Sequence, residues 1–162
     1  MPSNTQRIAT AIASIGITVG GAYLASSLGT AANNWRASEM LGTPLKVTIQ
    51  GVRNDKGSVV VMVFDDRSAY QAYDVTNAAG YRELPAEVGQ VSVEFPTLVS
   101  GPYVAAAFHD EDGNLDLTMS GEIPLEGYAT SGALDAYHMP TFTEALMAGG
   151  EVKLQLYYVG TN

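Results

Sequence analysis

The sequence contains no cysteine. That excludes disulfide bridges, thiol nucleophiles, iron–sulfur ligation, cysteine-bound zinc and lipid attachment at an N-terminal Cys. It does not identify the compartment, because a domain of ordinary size folds without disulfides on either side of a membrane. Histidine is nearly as scarce, with only His109 and His138. Even joined by Asp110 or Asp116, two His with no third nitrogen ligand and no Glu-x-x-His pattern make a poor metal set. Ser131 stands between Thr130 and Gly132 rather than in a Gly-x-Ser-x-Gly elbow, and no phosphate-cradling glycine loop opens a helix. Nucleophilic catalysis needs a nucleophile, a base and an orienting group together, so a non-catalytic role is expected.

Positive charge is sparse as well. Eight Lys and Arg face 17 Asp and Glu, for a formal net charge of −9. A surface this acidic cannot neutralise phosphates, which excludes a nucleic-acid partner, and it disfavours docking on anionic lipid. Charged residues are only 15% of the chain against 46% hydrophobic, so the domain has the means to fold.

The chain does have one long uncharged run. Met1–Arg7 is polar with a single positive charge, and the 25 residues Ile8–Ala32 carry none. As a helix rising about 1.5 Å per residue, such a run crosses a hydrocarbon core of about 30 Å. Two interpretations stand. A signal sequence would be cut after small residues such as Ala25-Ser26-Ser27 or Thr30-Ala31-Ala32, leaving a secreted or periplasmic domain. An uncleaved anchor accounts better for the length of the run and for Trp35 at its polar edge, an interfacial position. Ala13, Gly16 and Gly20 recur at small-x-x-x-small spacing, which lets helix backbones approach closely and points to packing against other membrane subunits. Anchors and signals are rich in Ala and Gly in any case. Arg7 precedes the run, whereas Arg36 is offset by Glu39 and an acidic domain. The positive-inside rule then places a single-pass protein in a bacterial inner membrane with its domain in the periplasm.

Beyond a linker over 35–44, the pattern becomes one of strands. Leu45, Val47 and Ile49 alternate with polar residues, Val91, Val93 and Phe95 do the same, and Val152, Leu154 and Leu156 begin a last strand that runs to Val159. Ser58–Phe64 is a nearly unbroken β-branched run, suited to a central strand. The turn cluster Arg53–Gly57 predicts a hairpin between the first two strands. Asp65–Tyr73 loses alternation and predicts a short helix or excursion, and Thr141–Met147 a helical turn or two. Gly113–Tyr137 is long, Gly-rich and aperiodic, the character of a functional loop or one packed over the sheet. The fold class is all-β, a single sandwich of prealbumin or immunoglobulin-like kind over 45–160, behind one N-terminal transmembrane helix in 1–34.

The richest chemistry lies in His109-Asp110-Glu111-Asp112-Gly113-Asn114-Leu115-Asp116. Oxygen ligands two apart at Asp110, Asp112, Asn114 and Asp116 suit a hard cation such as Ca²⁺, although Gly113 and Gly121 stand where an EF-hand loop would not have them. The ordinary alternative is an acidic turn whose side chains cap their own backbone. Eight tyrosines follow the linker, and the adjacent Tyr157 and Tyr158 must point to opposite faces of the last strand.

The run Leu98–Asp110, followed by Gly113-Asn114, Leu115-Asp116, Ile123-Pro124, Glu126-Gly127-Tyr128, Pro140 and Phe142, resembles the DUF2141 family of exported bacterial proteins. The resemblance spans Leu45–Tyr158 and implies a secreted, prealbumin-like β-sandwich with no established activity. Two departures fall in the long loop: Asp112-Gly113-Asn114 runs directly into Leu115-Asp116, and Ala129–Gly132 replaces a Gly-Phe-Ser-Asn stretch. The leading expectation is an anchored, non-catalytic accessory subunit of a larger membrane complex, with photosynthetic and respiratory assemblies as candidate hosts and no cofactor. The alternative is a soluble periplasmic binding module that uses Asp110–Asp116 for Ca²⁺ or a small ligand.

Overall fold

A computed structural model describes residues 43–99 and 101–160. The apolar run, with Ala13, Gly16 and Gly20, lies outside the described residues. Among the described residues, no helix is long and apolar enough to cross a membrane.

Nine strands form two main sheets and a small hairpin. Strands β1 (Leu45–Val52), β4 (Gly89–Phe95) and β9 (Glu151–Gln155) make a three-stranded sheet, with β1 central, antiparallel to β4 and parallel to β9. Strands β2 (Ser58–Phe64), β3 (Gly80–Pro85), β5 (Val104–Asp110) and β8 (Gly127–Thr130) make an antiparallel four-stranded sheet in the order β3-β2-β5-β8. Strands β6 (Met119–Ser120) and β7 (Ile123–Pro124) pair only with each other. Among the described residues, two short helices, α1 (Arg67–Ala72) and α2 (Phe142–Ala145), and a 3₁₀ turn at Val75–Asn77 complete the domain.

The alternation in β1 sends Leu45, Val47 and Ile49 inward against Val59, Val61 and Val63 of β2 and Ala105 and Ala107 of β5. That is the sandwich core. The other face of the larger sheet is buried too: Val60, Met62 and Phe64 with Val104, Ala106 and Phe108 pack under α1, α2 and their flanking loops. A strand covered on both faces has no polar alternation, which is why Ser58–Phe64 reads as a continuous apolar run and sits centrally, as expected. Helix α1 begins where Asp66 accepts from the Ser68 and Ala69 amides, and α2 where Thr141 and Glu144 form a reciprocal capping box.

Three expectations are corrected. The turn at Arg53–Gly57 does not close a hairpin, because β1 and β2 lie in different sheets and the turn carries the chain between them. Burial of both faces of β2 requires neighbours that β1 cannot supply while it serves as the centre of the opposing sheet. Gly113–Tyr137 is not all loop: it contains β6, β7 and β8, strands too short to show periodicity. The last strand ends at Gln155 rather than Val159. Tyr157 then bridges to Tyr128 of β8, so the chain crosses from one sheet to the other and closes an edge of the sandwich.

Candidate functional site

The acidic loop grows from one end of the four-stranded sheet. Ser58 lies directly opposite Asp110, and Glu126 precedes Gly127, the partner of His109, so Ser58, Asp110 and Glu126 form a row across three strands. Asp110 is fully buried and Glu126 nearly so. The Asp110 carboxylate accepts the amides of Gly113 (2.8 Å), Asn114 (3.1 Å) and Leu115 (3.0 Å). Glu126 accepts the amides of Glu111 (2.8 Å) and Thr118 (3.0 Å), fastening both ends of the excursion. Asp112 accepts from Asn114 and from the Thr118 hydroxyl. Carboxylate oxygens of Asp110, Asp112 and Glu126 lie within 4.8 Å of one another. The Ser58 hydroxyl, also buried, has no hydrogen-bond partner among the described residues.

Of the four oxygen ligands expected in this loop, then, Asp110 and Asp112 converge, and Glu126 joins them from the residue just before β8. The Asn114 amide group donates to Asp112 and Thr118, while its oxygen accepts the Asp116 amide. Asp116 itself lies beside the cleft described below. Glu126 stands ten residues past Asp116 and reaches the loop only through strand pairing, so no local pattern marks it.

On the inner face, His109 is fully buried. Its Nε2 sits 2.8 Å from the Lys56 carbonyl, which can only accept, so that nitrogen carries the proton. Its Nδ1 then accepts from the Tyr158 hydroxyl at 2.9 Å, and that hydroxyl accepts the Arg53 amide at 3.2 Å. Burial pushes the Tyr158 phenol up, with Glu111 adding to the rise and Arg53 opposing it. Arg53 stacks on the Tyr158 ring at 4.5 Å and pairs with Glu111. Burial raises the Glu111 carboxyl, but the hydrogen bonds from Arg53 and Asn54 outweigh it and hold the group below its usual value. His138, by contrast, accepts the Leu134 amide within its own loop. The two histidines do not converge with the aspartates on a common point. The Ser131 hydroxyl is spent on the Ala145 carbonyl and the Ala105 amide.

A cleft of about 620 Å³ lies on the outer face of the four-stranded sheet. Its floor is Met62, Ala106, Phe108, Tyr128 and Thr130; Ala106, between Met62 and Thr130 in register, leaves space that a larger core residue would fill. The 111–126 excursion supplies one wall through Leu115, Leu117, Met119 and Ile123. Tyr73, Val75, Tyr137 and Met139 supply the other. Of the nine exposed large hydrophobics among the described residues, seven line this cleft, so the exposure is concentrated rather than scattered. Tyr73 (φ 47°) and Leu115 (φ 63°), the two non-glycine residues with positive φ among the described residues, both face it. The Asp110 carboxylate holds Leu115 in that conformation through its amide. The acidic loop therefore shapes the cleft wall. Burial, together with Tyr137 and Asp135, raises the phenol of Tyr128, whose hydroxyl donates to the Ala136 carbonyl.

The family profile described as an uncharacterized protein conserved in bacteria (DUF2141) matches residues 47–155. The chain belongs to the DUF2141 family. No curated protein and no solved structure matches it. The DUF2141 match takes in His109, the Asp110–Asp112–Glu126 cluster and every residue lining the cleft except Val159. Tyr158, which completes the His109 hydrogen bonds, lies just past it.

Proposed function

We propose that this DUF2141 chain is a non-catalytic binding module of the bacterial envelope, with its prealbumin-like sandwich on the periplasmic side and its cleft open to a small apolar ligand. The observation that carries this reading is the concentration on the cleft of seven of the nine exposed large hydrophobics among the described residues. Leu115, one of them, holds a left-handed backbone that costs on the order of 1–3 kcal/mol, and strain of this kind clusters at ligand sites. A cleft of about 620 Å³ is also of ordinary ligand size. Support for a non-catalytic role comes from His109, whose ring nitrogens are both committed, and from Ser131, whose hydroxyl is engaged. Calorimetry with 4-phenylbutanol tests the reading. Saturable binding that Tyr137→Ala weakens severalfold, with melting unchanged, is expected; heat that does not saturate, or that ignores the variant, sinks it.

The run Ile8–Ala32 is the proposed anchor in the inner membrane. Packing through Ala13, Gly16 and Gly20 would make the same module an accessory subunit of a larger membrane complex. Intact mass of the mature protein separates anchor from cleaved signal, and cross-linking in membranes tests for neighbouring subunits.

A second reading places Ca²⁺ at Asp110, Asp112 and Glu126. It is favoured by three converging carboxylates with no Lys or Arg hydrogen-bonded to them, beside the unpartnered Ser58 hydroxyl. A Ca²⁺ titration that leaves the melting temperature unmoved ends it.

A further inference from the structure

We infer that the cleft selects an apolar ligand bearing one positive charge, a protonated or quaternary amine on a hydrocarbon body, and that Asp116 and Glu122 read the charge. This rests on the proposed binding role of the cleft and names the ligand class. The ionisable carboxyl groups among its lining residues are Asp116 and Glu122, and no Lys, Arg or His joins them. Both are exposed, and neither side chain is held in a hydrogen bond or ion pair among the described residues. A free carboxylate beside an apolar floor attracts a cation, because the low-dielectric wall strengthens the field that water would otherwise screen.

The aromatic content points the same way. Tyr73, Tyr128 and Tyr137 all line the cleft, and tyrosine faces attract ammonium groups through the ring quadrupole. Arg67 occupies a smaller neighbouring hollow that shares Tyr73 and Met139 with the cleft, where it donates to Thr143 and covers the Phe142 ring. Arg53 is tied to Glu111. A carboxylate ligand of the same shape would meet two like charges and find no partner, so fatty acids and similar anions are rejected. An alcohol gains the apolar contact alone.

The experiment uses the full-length protein in nanodiscs of zwitterionic lipid, with empty discs subtracted, titrated with 4-phenylbutylamine, 4-phenylbutanol and 4-phenylbutanoate. The amine is expected to bind about tenfold more tightly than the alcohol, and the carboxylate at least tenfold more weakly. The double variant Asp116→Asn, Glu122→Gln should bring the amine to the affinity that the alcohol shows for the same variant. Raising salt should erode the amine's advantage only. Equal binding of alcohol and amine, or a preference that survives in the double variant, overturns the charge selection while leaving the cleft a binding site. Failure of all three compounds to bind overturns the binding role as well.

Discussion

Replacing Tyr158 with Phe removes one hydroxyl and keeps the ring that covers Gly127 and lies edge-on to His109. In the native protein that hydroxyl gives its proton to His109 Nδ1 at 2.9 Å while Nε2 is held by the Lys56 carbonyl at 2.8 Å. His109 has no exposed surface, so water cannot replace the lost donor. The Arg53 amide, the hydroxyl's other partner, is near solvent and regains a water instead. The loss is thus one orphaned buried acceptor, about 1–3 kcal/mol. For a domain of this size, at roughly 3–4 °C per kcal/mol, the melting temperature should fall by about 3–12 °C. Thermal melts followed by circular dichroism give the number, and Tyr157→Phe serves as the control. Adding Tyr158→Phe to His109→Leu should cost distinctly less than adding it to the native protein, because the acceptor is already gone. Nitrogen NMR of the His109 ring should show protonated Nε2 and bare Nδ1. A Tyr158→Phe protein that melts with the native one would refute the hydrogen-bond chain and the assignment of the proton.

Asp110→Asn keeps the shape but weakens the acceptor of three backbone amides, and should cost about 2–3 kcal/mol in chemical denaturation while loosening Leu115 at the cleft wall. Leu115→Gly relieves the left-handed backbone while removing a half-exposed side chain. Stability should therefore change by less than about 1 kcal/mol, whereas 4-phenylbutanol affinity drops severalfold. Gly127→Ala would place a Cβ 2.4 Å from the Tyr158 ring and should destabilise by about 1–3 kcal/mol, with the His109 signals shifted. Burial and neighbouring Tyr73 push Tyr70 up to about 12 from 10.0, so the folded state favours the neutral phenol. That stabilisation is whole below pH 10, fades as pH rises toward about 12 and is lost above it; Tyr70→Phe should flatten this alkaline arm of a stability profile.

The strands that bury one face were legible because a period of two is a local property. Leu45, Val47 and Ile49 announce β1 without reference to anything else in the chain. The run Ser58–Phe64 announced a central strand for the complementary reason, since only a strand covered on both faces can do without polar residues. Loss of alternation over Asp65–Tyr73 left room for the short helix at Arg67–Ala72, and the helical turn expected within Thr141–Met147 forms at Phe142–Ala145. Strand β3, an edge with Arg82 and Glu83 exposed, left no comparable mark. Strands β6 to β8 are two to four residues each, shorter than any period can register.

For the site, composition and local order determined the chemistry available. Absent cysteine and two histidines set the expectation of a non-catalytic role, the spaced oxygens of Asp110–Asp116 suggested a cation, and the His-Asp to Glu-Gly-Tyr order pointed to the family. Which oxygens meet was decided by pairing between β5 and β8, which brings Glu126 to Asp110 from outside the loop. The cleft belongs to the tertiary structure alone. Its floor, walls and rim come from segments between Met62 and Val159, and it exists because Ala106 is small, because the buried Glu126 carboxylate ties down Glu111 and Thr118, and because the Asp110 carboxylate holds Leu115 in a left-handed backbone while Tyr73 takes one as the C-cap of α1.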